Sequence, residues 1–120
     1  MNRLQHFLHA KTQFNLHSPF VYGLYTEVLF SRAEGCPKGR FEATVWRLER
    51  HYGVVAERGD ATAELHTAEA DFLVVDHPHR DEQHWEKLMV ESCYQVTIDL
   101  FDVGIAVCNS HLSKQHFILR

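Results

Sequence analysis

The chain is short of the residues that would place it in a specialised class. Its three cysteines, Cys36, Cys93 and Cys108, are odd in number, widely spaced and outside any C-x-x-C pair. That excludes a disulfide framework and a thiolate zinc site, and points to a reducing compartment, the cytoplasm. Six glycines and three prolines in 120 residues leave no low-complexity tract. No segment approaches the ~20 apolar residues of a membrane span. The first ten residues interrupt their apolar positions with His6 and His9, so they lack the apolar run of a signal peptide. Basic residues are scattered and the formal charge is −4, which argues against a nucleic-acid surface, where clustered cations must displace counterions. Ten histidines qualify that charge, because imidazoles titrate near ~6.5 and mild acid reverses the sign.

What is present reads as one ordinary α/β domain. Leu4, Phe7, Leu8 and Phe14 share a helical face, and Ser18-Pro19 supplies a capping hydroxyl and a first-turn proline for a second helix. Phe20, Val21, Leu24, Tyr25, Val28 and Leu29 continue that helix, and Gly35, Pro37 and Gly39 mark a loop. Phe41, Val45, Leu48 and Tyr52 repeat at helical spacing, with Gly53 placed for a left-handed C-terminal cap. Val54 to Glu57 is a short strand candidate, and Asp60 to Ala70 suits a turn and a short helix.

Phe72-Leu73-Val74-Val75 is a continuous apolar run ending at Asp76, the pattern of a strand buried on both faces of a parallel sheet. A helix over Asp81 to Glu91 follows, with Trp85, Leu88 and Met89 on one face. Alternation over 96–101 and again over 103–108 predicts two paired antiparallel strands, and Phe117-Ile118-Leu119 adds an edge strand or packs the terminus down. The expected architecture is a single domain, residues 1–120, with an N-terminal helical segment (residues 1–40) packed on a reduced α/β core (residues 41–120) whose short mixed sheet ends in an antiparallel hairpin.

His17-Ser18-Pro19-Phe20-Val21-Tyr22 resembles the N-terminal helical segment of a group of bacterial class I S-adenosylmethionine-dependent methyltransferases, found particularly in Bacteroidetes. Asp71 to Asp76 with His79-Arg80 is similar to that family's fourth strand and following loop. The segment 96–101, Gly104, and 114–120 are similar to its terminal hairpin and tail. These blocks cover about half of the chain. The resemblance implies a cofactor turn after the first strand, where Glu57 and Gly59 match an E-x-G opening while Ala63 replaces a later glycine. It also implies that Asp76 lies near the reaction site with His79, and some related enzymes bind a divalent cation there.

The chain departs from that family chiefly in length. Twelve residues, 60–71, separate Gly59 from Phe72. They cannot hold a helix, two more strands and the acidic residue that grips the adenosine ribose. Nor is there room for a fifth strand between Glu91 and Tyr94. The strands that remain resemble the family's first, fourth, sixth and seventh. Such a deletion leaves strand 54–57 as a bare sheet edge, which motivates homodimerisation.

Three functions follow from these residues: a degenerate, non-catalytic binding or assembly module; a small-molecule methyltransferase with Glu57 and Gly59 on the cofactor and Asp76 or His79 on the acceptor; or a divalent-metal protein using Asp76, His77 and His79. The plain alternative at the last three is a polar loop in which Asp76 caps a turn and His79 is solvated. His6, His9 and His17 lack an acidic partner, and His17 suits orienting the helix start. No nucleophile elbow surrounds any Ser or Cys. Cys93 and Cys108 read as small core residues, and Phe20, Tyr25, Phe41, Trp46 and Trp85 as helix-to-sheet packing.

Overall fold

The computed structural model describes Arg3 and residues 19–29, 33–60, 71–91 and 93–119, so the expected helix around Leu4 to Phe14 and the stretch 61–70 lie outside the described residues. The second expected helix is present as α1, Pro19–Gly23, which widens into a π turn over Leu24–Val28. Within this segment Thr26 Oγ1 donates to the Tyr22 carbonyl at 2.7 Å, a back-bond that bends helices. The third expected helix is α2, Arg40–Tyr52, with Ala43, Thr44, Val45 and Leu48 buried. It ends as its sequence dictates: Gly53 takes φ 68°, and its N–H donates to the Glu49 carbonyl at 2.9 Å.

The first strand is displaced from its expected place. β1 is Glu57–Asp60, not Val54 to Glu57. Val54 packs against the core as part of the connection, Val55 is 76% exposed, and the Ala56 N–H donates to Glu49 Oε2, tying the connection to α2. Backbone pairing then fixes the strand, with Glu57 beside Leu73 and Gly59 beside Val75. Glu57 and Gly59 therefore lie within a strand rather than in a turn after it.

β2 is Phe72–Asp76, and a 3-10 turn over Pro78–Arg80 leads into α3, Glu82–Val90. Among the described residues no side chain caps the 3-10 turn, where Asp76 is the expected cap, while Asp81 caps α3, its Oδ1 accepting the His84 N–H at 3.1 Å. β3, Val96–Asp99, and β4, Val103–Val107, form the expected antiparallel hairpin, and β5, Gln115–Ile118, is the added edge strand. The five-stranded sheet has the order β1-β2-β4-β3-β5. β1 runs parallel to β2, and β5 parallel to β3, while β4 is antiparallel to both of its neighbours. β1, β2, β3 and β5 thus all point the same way.

Two layers cover the sheet. On one face Val74, Ile98, Val103, Ile105, Val107 and Phe117 pack with α1 and α2 through Val21, Leu24, Val45 and Leu48. On the other, Leu73, Val75 and Ala106 pack under Trp85 and Leu88 of α3 and under Tyr94. No helix among the described residues is long and apolar enough to cross a membrane.

Candidate functional site

The strand directions bring the carboxyl ends of β1, β2 and β3 to one end of the sheet, and each of these strands ends in aspartate: Asp60, Asp76 and Asp99. Open α/β sheets place their ligands at this end. Asp60 and Asp76 are register partners. Beyond β2 the backbone turns sharply, with His77 at φ 49°, and the His77 N–H donates to the Asp102 carbonyl at 2.9 Å. A left-handed residue with a full side chain is costly, so that bond to the β3–β4 loop is part of what holds the turn.

His79 is the centre of the cluster. Its side chain is only 10% exposed, with Nδ1 at 2.9 Å from Glu82 Oε1 and Nε2 at 2.6 Å from Asp99 Oδ2. With both carboxylates ionised, the two contacts are met together when the ring carries both protons. Asp99 is buried at 1% exposure, and its Oδ1 accepts the Phe101 N–H at 2.8 Å. That bond shapes the hairpin turn, where Phe101 takes φ 72° and its ring stacks on His79 at 5.5 Å between centroids. The Arg3 guanidinium lies over the Phe101 ring at 4.6 Å and pairs with Asp102 at 2.9 Å. Glu82 is held below the usual carboxylate range: burial opposes ionisation, but hydrogen bonding and positive charge, His79 included, outweigh it.

On the α3 side of the sheet His116 Nδ1 lies 2.7 Å from Thr97 Oγ1, and its ring meets Trp85 edge-on at 6.2 Å. Desolvation at the ring pushes the His116 imidazole below its ordinary value, against the pull of Asp99. Gly104 makes room for Trp85, since a Cβ there would stand 2.6 Å from its ring and 3.3 Å from Pro78. Trp85 Nε1 is buried without a hydrogen-bond partner among the described residues.

The sequence-derived residues divide between separate places. Asp76 pairs with its neighbour, Oδ1 lying 2.7 Å from His77 Nδ1, and both side chains are partly exposed. His79 turns away from that pair towards Asp99. It is engaged on both nitrogens, not solvated. Among the described residues no group of three or more His, Cys, Asp or Glu side chains is arranged to hold a metal ion. Glu57 and Gly59 sit in the edge strand. A Cβ on Gly59 would meet Leu73 at an ordinary 3.4 Å, so neither φ nor close approach demands glycine there. Glu57 is close enough to Tyr94 to contribute, after burial and Cys93, to pushing its phenol up to about 12.

Glu82, Asp99 and Phe101 were not among the sequence candidates. Asp99 occupies an alternate position that reads as solvent-facing in a one-sided sheet, but both faces are covered here. A depression of about 210 Å3 at this end is lined by His77, His79, Arg80 and Phe101. Arg80 puts a guanidinium on its rim, while His77 and His79 there are already paired with carboxylates. No protein family, curated protein or solved structure matches this chain.

Proposed function

We propose that the chain is a degenerate methyltransferase-like domain of the cytoplasm, acting as a binding or assembly module and not as a methyl-transfer enzyme. The observation that carries this reading is the position of Glu57 and Gly59 inside β1, hydrogen-bonded alongside β2, with twelve residues, 60–71, between Gly59 and Phe72. A cofactor turn needs backbone N–H groups free at a helix N-terminus after the strand. In this chain the matching residues lie within the strand itself, in register with Leu73 and Val75. A second support is His79, whose ring nitrogens both meet carboxylates, so that its geometry serves the loop and hairpin. The free thiols Cys36, Cys93 and Cys108 accord with a reducing compartment.

β1 lies at the outer edge of the sheet order and supplies the surface for assembly, pairing with a second copy of the chain. Calorimetric titration with S-adenosylmethionine and S-adenosylhomocysteine, with and without a divalent metal, tests the central part. No heat of binding at millimolar ligand is expected. Micromolar affinity overturns the reading in favour of an enzyme with a rebuilt cofactor site. Sedimentation equilibrium tests the edge pairing, and a monodisperse monomer at high protein concentration would rule it out.

A further inference from the structure

The end of the sheet opposite His79 holds a cavity of about 510 Å3, between the C-terminus of α2, the start of β2 and the end of β4. That volume is in the range of small-molecule sites. Its walls are chemically one-sided. Phe20, Tyr52 and Phe72 contribute three aromatic rings, with Tyr52 at 5.0 Å from Phe72 and 6.1 Å from Phe20 between centroids. Asp71 places a carboxylate at the exposed rim, and among the described residues no Lys, Arg or His lines the cavity.

The helix adds to this polarity. α2 is thirteen residues long and ends at Tyr52, so the negative end of its dipole is directed at the cavity that Tyr52 and Val54 line. The two arginines of its last turns do not offset this, because Arg47 and Arg50 line a different cavity with Trp46, and the Arg50 guanidinium lies over the Trp46 ring at 5.0 Å; the His51 ring meets Tyr52 edge-on at 4.7 Å but does not itself line the site. Tyr52 stays a neutral phenol, its ionisation opposed first by burial and then by Glu27. Aromatic faces, a carboxylate and a helix C-terminus all favour positive charge, and the apolar floor favours a hydrocarbon body.

We propose that this cavity is a binding site for a small organic cation, an aromatic or alkyl ammonium compound, whose charged head lies by Asp71 and whose body rests against Phe20, Tyr52 and Phe72. The site shares no residue with the His79 cluster and stands whether or not the chain binds S-adenosylmethionine.

The probe is benzyltrimethylammonium, titrated into the full chain by calorimetry beside neutral benzyl alcohol and anionic benzoate. The cation binds about tenfold more tightly than the alcohol, as a desolvated cation–aromatic contact predicts, and benzoate binds more weakly than either. Asp71→Asn, at an exposed side chain, weakens the cation about threefold and leaves the alcohol unchanged. The Cys108 thiol lines the cavity and Cys36 does not, so saturating cation slows alkylation of Cys108 and not of Cys36. Equal affinity for cation and alcohol, tighter binding of benzoate, or an unchanged Cys108 rate would overturn the assignment.

Discussion

The face of the sheet under α1 and α2 is lined by Val74, Ile98, Val103, Ile105 and Phe117, whereas the face under α3 sets Thr97, Asp99 and His116 beside Leu73, Val75 and Ala106. The first face can be satisfied by shape and volume alone. The second must also find partners for the polar side chains of its strands, and it does so with residues far apart in the chain: His79 for Asp99, and His116 for Thr97. A nine-residue helix suffices as its cover because Gly104 lets Trp85 lie directly on the sheet. Chemistry-bearing side chains collect on this thinner side and at the carboxyl end it borders.

The contrast is broken most severely by Asp99→Ala, which leaves His79 without its buried partner and removes the acceptor of the Phe101 N–H. A loss of about 3–5 kcal/mol is expected in urea unfolding. Ile105→Val on the apolar face costs only about 0.5–1.5 kcal/mol. Equal effects would mean that the two faces are not distinct in the way described. Gly104→Ala drives a methyl into Trp85 and destabilises by about 1–3 kcal/mol, and the same change in a Trp85→Leu background costs less than in the parent. Additive losses would place the strain elsewhere.

Asp81→Ala removes the α3 cap and lowers stability by about 1 kcal/mol, read from the urea midpoint, while Asp76→Ala leaves α3 capped. The smallest effect is on pH. His116 is lowered in the folded state, so its contribution is present above its ordinary value of 6.5 and is lost as pH falls through the lowered one. Glu82 is likewise lowered, and its contribution is lost only as pH falls below 4.5. Unfolding midpoints from pH 8 to 3 therefore decline in two acid steps, the lower one starting only below 4.5, and His116→Gln removes the upper one. An unaltered upper step in that variant assigns it to another group.

What the sequence made legible was local. The apolar run 72–75, the helical repeat through Phe41, Val45, Leu48 and Tyr52, the Gly53 cap and the alternating hairpin each depend on neighbours a few residues apart. β1 was misplaced because Glu57-Arg58-Gly59-Asp60 has no apolar alternation, and its strand is defined by pairing with β2. Asp76 and His79 were recognised as strand-end residues, yet their partners were not. The distance in sequence from His79 to Asp99 spans a helix and a strand, and no local period encodes that contact. Phe101 reads as the last residue of an alternating strand over 96–101, whereas the strand ends at Asp99 and Phe101 sits in the hairpin turn with a left-handed backbone that no alternation encodes.

The account rests most heavily on His79 being committed to Asp99, because that commitment turns a candidate catalytic or metal-binding residue into the lock between the strand-end loop and the hairpin. A double-mutant cycle with His79→Gln and Asp99→Asn, followed by urea unfolding at neutral pH, measures it directly. A coupling energy above about 1 kcal/mol is the predicted result. Additive losses with no coupling would contradict the account and return His79 to the pool of side chains available for chemistry.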